Sequence, residues 1–402
     1  MPLYEYKALN KAGERIDGRY NAQNRNDILQ MLRKNQYHPV LINEVAEGTD
    51  LRKIAIFNKV KTKDIAVFAR QFYAMLNAGI TIIQCLDILR QQTENKSLKE
   101  VIAKVYESVQ KGSTLSESLK DHKNVFPELF IYMVEAGEVS GTLDKIMERM
   151  AAHYEKESKI QNKIKGAMTY PILLAAVSVV VVVFMLVAIL PTFLSMFEGS
   201  GVPLPGPTRF LLGISNGLRQ YWHILLLAIG VIAYVVRRYI KTDNGRKAFD
   251  RLKLRLPVVK NTVVKIAASR FTRTLSTLLA SGIPLLSAMD VVARVVGNRV
   301  IADGILSAKE ELRKGFDLSG PICRLDVFPP MVHSMILIGE ESGTLDEVLR
   351  RTADFYDEEV DAAIRKMTSM LEPVMLIFMA VIIGFLVVAM YLPMIDMMQT
   401  IQ

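Results

Sequence analysis

Hydrophobic positions along the chain fall into two regimes. Ile172 to Leu190 and Val374 to Leu392 are unbroken apolar runs of 19 residues without a charged side chain. At 1.5 Å rise per residue each run makes a helix of ~28 Å, close to the hydrocarbon thickness of a bilayer. Prolines bracket both runs, Pro171 with Pro191 and Pro373 with Pro393, and the pattern predicts that each pair opens and closes a span. A shorter apolar run, Tyr221 to Val236, begins with an interfacial Tyr221-Trp222 pair and is followed by Arg237 and Arg238. It is the third predicted span.

Outside these runs the apolar positions recur at helical spacing. Ile65, Phe68, Phe72 and Met75/Leu76 form one stripe, and Phe271, Leu275, Leu278 and Leu279 form another. Gly79 and Gly282 follow as C-caps. Thr114 with Glu117 and Thr344 with Glu347 have the spacing of capping boxes, and Pro127 stands at the start of a helix. Residues 1–45 differ: Tyr4, Tyr6 and Ala8 alternate, and a short helix from Asp27 to Leu32 precedes Pro39-Val40-Leu41-Ile42. These residues predict a small α+β module, with 46–62 as a linker.

The chain repeats itself at an offset of 202 to 203 residues. FARQFYAMLNAGI at 68–80 parallels FTRTLSTLLASGI at 271–283, and GEVSGTLD at 137–144 matches GEESGTLD at 339–346 at seven of eight positions. The bracketing prolines keep the same offset. The repeat unit is a soluble domain of about six helices plus the span that follows it. The fold class is therefore mainly α: an integral membrane protein with two duplicated cytoplasmic helical bundles, 63–170 and 265–372. Its spans are 172–190, 221–236 and 374–392, with 191–220 an extracytoplasmic loop, 237–264 a basic cytoplasmic connector and 393–402 an extracytoplasmic tail.

Composition agrees: half of the 402 residues are hydrophobic and 23% are charged. The net charge of +9 could indicate nucleic acid, but the bases cluster after the middle span, from Arg237 to Lys260. That distribution reports topology and contact with anionic lipid, with no direct nucleic-acid contact. The polar N-terminus, Met1 to Tyr6, lacks the pattern of a cleavable signal peptide. By the positive-inside rule the N-terminus and both bundles are cytoplasmic and the C-terminus is extracytoplasmic. Two copies of one domain belong in one compartment, so the chain must return through Tyr221 to Val236.

Signatures of chemistry are missing. The sequence has no GxxxxGK[ST], HExxH or CxxC, and its one GxSxG string, GISNG at 213–217, lies in the predicted 191–220 loop and not between a strand and a helix. The spans hold no Asp, Glu, Lys or Arg, and their one histidine, His223 beside the interfacial Tyr221-Trp222 pair, stands without the acidic or basic partners of a proton relay or ion path. Two cysteines, Cys85 and Cys323, and five scattered histidines predict no disulfide framework and no metal site. The expectation is a non-enzyme without cofactor. The SGTLD box has two readings. In one it starts a helix: Gly141 and Gly343 make the turn, Thr142 and Thr344 cap, and Asp144 and Asp346 favour the positive helix end. In the other, exposed Glu138 and Glu340, with Asp144 and Asp346, dock a basic partner surface or a divalent ion. Arg70 and Arg273 occupy matching places as salt-bridge partners. Tyr154 and Tyr356, each followed by acids, are placed on the exposed face of the long helix, and Cys85 in the core.

Taken together, the duplicated domains with FxRxx…LxxxGI openings, the paired GExSGTLD boxes, the proline-bracketed spans and the YxYxALxxxGxxxxG start at 4–18 resemble the type II secretion F protein family. The resemblance covers the whole chain. It implies an inner-membrane platform protein of type IV pilus or type II secretion machinery. Its implied partners are a hexameric secretion or pilus-assembly ATPase, pilin or pseudopilin subunits, other inner-membrane assembly proteins and further copies of itself. A membrane signalling scaffold and a small-solute transporter component are the rival readings. The first would carry a sensing domain outside the membrane, and the second would have more spans with polar groups.

The topology is testable with reporters active only outside the cytoplasm. Fusions after Gly206 and Gln402 are expected to be active and a fusion after Asp250 silent; activity at Asp250 would remove the middle span.

Overall fold

The computed structural model describes residues 3–9, 15–22, 25–34, 37–45, 59–195 and 205–400. Most of the linker predicted at 46–62 and the Gly/Pro-rich centre of the 191–220 loop lie outside the described residues.

The N-terminal unit is a three-stranded antiparallel sheet with one helix: β1 (Leu3–Leu9), β2 (Arg15–Asn21), α1 (Arg25–Lys34) and β3 (His38–Val45), in strand order β2-β1-β3. Its core joins Ala8, Ala22, Ile28 and Leu32. Pro39 pairs with Ala8 where the register shifts, on an edge strand, where a residue without N–H does least harm.

The first repeat has six helices: α2 (Thr62–Asn77), α3 (Ile82–Gln92), α4 (Lys96–Gln110), α5 (Leu115–Lys120), α6 (Glu128–Ser140) and α7 (Leu143–Phe184). Its centre is aromatic. Phe68 lies 5.3 Å from Phe126 and 6.0 Å from Phe130, and Phe130 lies 6.1 Å from Tyr154, ring centre to ring centre. Tyr154 and its counterpart Tyr356 are buried, which corrects their expected exposure. Each turns inward from the long helix, while the acids after it, Glu155 and Glu157 or Asp357 and Glu359, form ion pairs. Cys85 is buried, and burial pushes its thiol up to about 11. The Thr114–Glu117 capping box forms as predicted, and Gly79 and Gly282 end their helices at φ +79° and +77°.

A π-turn at Met185–Ile189 continues α7 into α8 (Leu190–Ser195). The next helix, α9 (Gly206–Ile240), bends at Tyr221, where φ is −116° and ψ 17°. Its first half corrects the predicted loop: the described part of 191–220 is helical and packs on the spans. Leu211 joins Leu186, Leu190, Leu386 and Ala389 in one cluster. Thr208 Oγ1 donates to the Ala389 carbonyl at 2.5 Å. Ser215 Oγ donates to Leu186 and Arg219 Nη2 to Val187, both at 2.6 Å. The two carbonyls of the π-turn thus find partners within the protein, as a low-dielectric surrounding demands.

The basic connector is ordered helix as well. In α10 (Asp243–Arg255), Asp250 is buried and accepts from the Arg299 N–H and Lys253 Nζ, each at 2.9 Å. The second repeat then follows the first: α11 (Pro257–Leu279), α12 (Leu285–Val295), α13 (Arg299–Arg313), α14 (Ser319–Arg324), α15 (Pro330–Ser342) and α16 (Leu345–Thr400). Helices α7 and α16 run through Pro171 and through Pro373 and Pro393 without a break. The prolines therefore mark the borders of the spans and do not end helices; the predicted tail after 393 is helical to Thr400. Among the described residues, three helices are long and apolar enough to cross a membrane.

The first glycine of each GExSGTLD box is a packing requirement. A Cβ on Gly339 would lie 2.9 Å from the Leu345 Cα, and one on Gly137 2.8 Å from Ile146 Cγ1. Since the Leu345 obstacle is backbone, Gly339→Ala is expected to destabilise the chain by about 1–3 kcal/mol, read as a lower melting temperature in detergent. Unchanged melting would mean that α15 and α16 can separate freely.

Candidate interface between the repeats and its membrane border

Both SGTLD boxes build the same joint. Helix α6 ends at Gly141, φ +68°, and the Thr142 N–H bonds back to the Gly137 carbonyl at 2.9 Å. Gly343, φ +69°, does the same, with the Thr344 N–H on Gly339 at 3.0 Å. The left-handed residue lets the chain reverse directly from one helix into the next. The capping expected of Thr142 and Thr344 is replaced: their hydroxyls pair with Ser140 and Ser342 Oγ at 2.7 Å. Asp144 and Asp346 lie in the first turns of α7 and α16, where their charge favours the helix start.

Glu138 and Glu340 face inward, contrary to the expectation of exposed docking carboxylates. Glu138 accepts from the N–H groups of Leu115 and Ser116 at 2.6 and 2.9 Å, and Glu340 accepts from Leu318 and Ser319 at the same distances. Each carboxylate thus holds the N-terminus of a short helix, α5 or α14, against the joint. Hydrogen bonds to a charged acceptor contribute about 1.5–3 kcal/mol, and with both oxygens engaged neither group is a free ligand. The spacing of 21 to 23 residues hid the role, because local capping rules look only three residues ahead.

Arg70 and Arg273 are salt-bridge partners as expected. Arg70 meets Glu155 at 2.7 Å and Arg273 meets Asp357 at 2.6 Å, the same pair one repeat later. Their surroundings differ. The first pair is half exposed, whereas the second sits under α7, whose Lys156 reaches Asp354 and Asp357 at 2.8 and 3.1 Å. Lys163 pairs with Asp361 and Arg270 with Glu157. Beneath this ionic layer Ile160 packs with Val360 and Ile364. Near the span, Tyr170 Oη lies 3.5 Å from Glu372. The cluster locks the two long helices together immediately before both enter lipid. Sequence reading missed it because it pairs residues 113 to 202 positions apart. Among the described residues no three His, Cys, Asp or Glu side chains come together to hold a metal ion.

Fold and joint define a class: a membrane protein made of tandem copies of one helical bundle, each continued by its last helix into the bilayer. A family model described as "Type II secretion system (T2SS), protein F" matches residues 68–191 and 271–393, and one for the N-terminal domain of that protein matches 1–43. The chain is 38% identical over 398 residues to the type IV pilus assembly protein PilC of Myxococcus xanthus, covering 99% of this chain and 95% of that one. It is 39% identical over 404 residues to PilC of Thermus thermophilus, with 100% and 99% covered. It is 33% identical over 401 residues to the type II secretion system protein F of Vibrio cholerae, with 99% and 98% covered. The chain belongs to the type II secretion system F protein family.

His153 offers a test of the interface. Burial holds its imidazole neutral and lowers its pKa to about 4, despite the nearby Glu157 and Asp357 carboxylates; Arg270 and Arg273 add to the lowering. An unfolded chain protonates the same ring near the ordinary value of 6.5. Between those values the unfolded state binds the extra proton, so stability falls as pH falls from 6.5 towards 4, by about 3 kcal/mol in all. His153→Phe, the residue type at position 355 in the second repeat, is expected to flatten this acid dependence in detergent melts. An unchanged pH slope would place its origin elsewhere.

Proposed function

We propose that the chain is the inner-membrane platform of a type IV pilus or type II secretion machine. In this reading it passes movement of a cytoplasmic hexameric ATPase to pilin or pseudopilin subunits being taken from the bilayer. The observation that carries the proposal is the continuity of α7 and α16, each a single helix from its SGTLD joint to the outer end of a span. A displacement of either bundle is carried as a rigid element into the membrane. The ionic layer between the helices makes the two move together. Relatives named for pilus assembly and for type II secretion support the setting. The N-terminus and both bundles lie in the cytoplasm and the C-terminus outside. Spans without acidic residues, lysine or arginine, and with His223 near one end of the middle span as their one histidine, suit packing against apolar pilin helices.

Purification from membranes in mild detergent is expected to bring the hexameric ATPase with the chain. Lys165, exposed on α7 between the ionic layer and Pro171, is the place to break the helix without entering the core. Lys165→Pro costs about 3 kcal/mol of local helix and should abolish fibre assembly or secretion at a normal membrane level, whereas Lys165→Ala should not. Normal assembly by the inserted proline variant would show that force does not pass along α7.

A further inference from the structure

The connector helix α10 is amphipathic the wrong way round for a helix in water. Phe249 and Leu252 on it and Leu256 at its C-cap are 41%, 50% and 45% exposed. At about 100° per residue the three fall within about 60° of arc, a narrow apolar stripe. The opposite side packs on the second repeat, and it is polar. Asp250 is buried there and accepts from the Arg299 N–H at 2.9 Å, while Asn298 Nδ2 donates to the Asp250 carbonyl at 3.3 Å. Lys247, on the same side, meets Asp303 at 2.7 Å. These bonds to the start of α13 fix the rotation of α10 about its own axis, so the stripe cannot turn inward.

Both ends of α10 are tied to the membrane border. Helix α9, which contains the middle apolar run, ends four residues and ~6 Å beyond Val236. Only Lys241 and Thr242 separate it from α10. At its other end α10 leads straight into α11, which runs antiparallel to α16. Ser276 donates to the Asp346 carbonyl, Ser269 to Asp357, and Lys265 meets Glu359. Continued, that register carries Leu256 to the level of Thr368, ~8 Å short of Pro373. A helix of 13 residues, ~20 Å long, whose two ends lie at the border runs along the bilayer and not away from it.

We propose that α10 is an interfacial helix seated in the cytoplasmic leaflet, with Phe249, Leu252 and Leu256 among the upper acyl chains and its bases among the headgroup phosphates. Arg246 and Lys253 flank the stripe on one side and Arg255 on the other, the arrangement in which basic side chains reach up to headgroups from a helix lying in the interface. Arg237, Arg238, Lys241, Arg246, Arg251 and Arg255 are exposed and form no ion pair among the described residues. Their charge is left for a leaflet of negative surface potential. Clustered bases alone call only for attraction to headgroups; the outward stripe calls for burial as well. An acidic protein could match the bases, but the level of the stripe, between the borders of two spans, belongs to the bilayer. Because Asp250 and Asn298 join α10 to the start of α13, the seat holds the second bundle at a set height above the membrane. It needs the three-span arrangement and none of the pilus or secretion partners.

Fluorescence depth measurements in vesicles test the seat. In the full-length chain with Cys323→Ser, which leaves only the buried Cys85, four single replacements are labelled with an environment-sensitive dye. They are Phe249→Cys, Leu252→Cys, Val231→Cys in the middle span and Phe316→Cys between α13 and α14. Each purified chain is placed in vesicles of phosphatidylethanolamine and phosphatidylglycerol with brominated acyl chains. Labels at 249 and 252 are expected to be quenched about threefold more strongly than the label at 316, with 231 quenched as well. Quenching at 231 but not at 249 and 252 overturns the seat and leaves the span standing. Aqueous iodide would then tell an open stripe from one covered by protein. No quenching at 231 overturns the span and the seat together. Leu252→Trp in a Trp222→Phe chain repeats the reading without a label, and bromine quenching no stronger than that of a tryptophan placed at 316 also overturns the seat.

Discussion

Backbone hydrogen bonding across the border between water and lipid is the constraint on which this architecture rests. A helix cannot stop inside the hydrocarbon without leaving carbonyls unpaired at a cost of several kcal/mol each. Helices α7 and α16 meet that demand by not stopping: each begins in a helical bundle and stays helical beyond the apolar run. Pro171 and Pro373 remove one bond apiece, but at the border, where water and headgroups can serve the freed carbonyl. Where α7 does loosen, at the π-turn of Met185–Ile189, Ser215 and Arg219 supply the missing donors. The bundles and the spans are thereby joined by continuous helix.

The ionic layer has a different physical role. Most of its pairs are partly exposed and so contribute little net stability. Their value is register: Lys156 between Asp354 and Asp357, Lys163 on Asp361 and Arg270 on Glu157 can all be satisfied in one alignment of the long helices. The apolar contact of Ile160 with Val360 and Ile364 supplies attraction without such selectivity. The repeat-matched pairs Arg70–Glu155 and Arg273–Asp357 show how duplication was used. The same bridge closes each bundle, and only the second also became part of a contact between bundles.

Nearly every position of the GExSGTLD box has a structural task. Its first glycine lets two helices touch, its glutamate holds a distant helix start, its second glycine supplies the left-handed turn, and its serine and threonine hydroxyls join across that turn. The aspartate then starts the long helix. That an internal repeat preserves this string while residues of the ionic layer diverge is what a joint requires. Bundle geometry must be identical in both copies, whereas the two bundles face different neighbours.

The sequence by itself determined the spans, the duplication, the six-helix unit and the glycine-terminated helices, because these follow from local rules: apolar length, helical period and the conformational freedom of glycine at Gly79, Gly141, Gly282 and Gly343. It also carried the family, since the GExSGTLD boxes are contiguous. What only the tertiary structure decided involves partners far apart in the chain. Tyr154 and Tyr356 looked exposed because acids follow them, yet one step along a helix turns a side chain by about 100° and puts the tyrosines inside. Glu138 and Glu340 looked free because their partners lie 21 to 23 residues upstream. The helix within 191–220 looked like a loop because its stability comes from Leu211, Thr208 and Ser215 packing on other spans. Local pattern encodes which elements form; which faces are left for a partner depends on how those elements pack, and that is a property of the assembled chain.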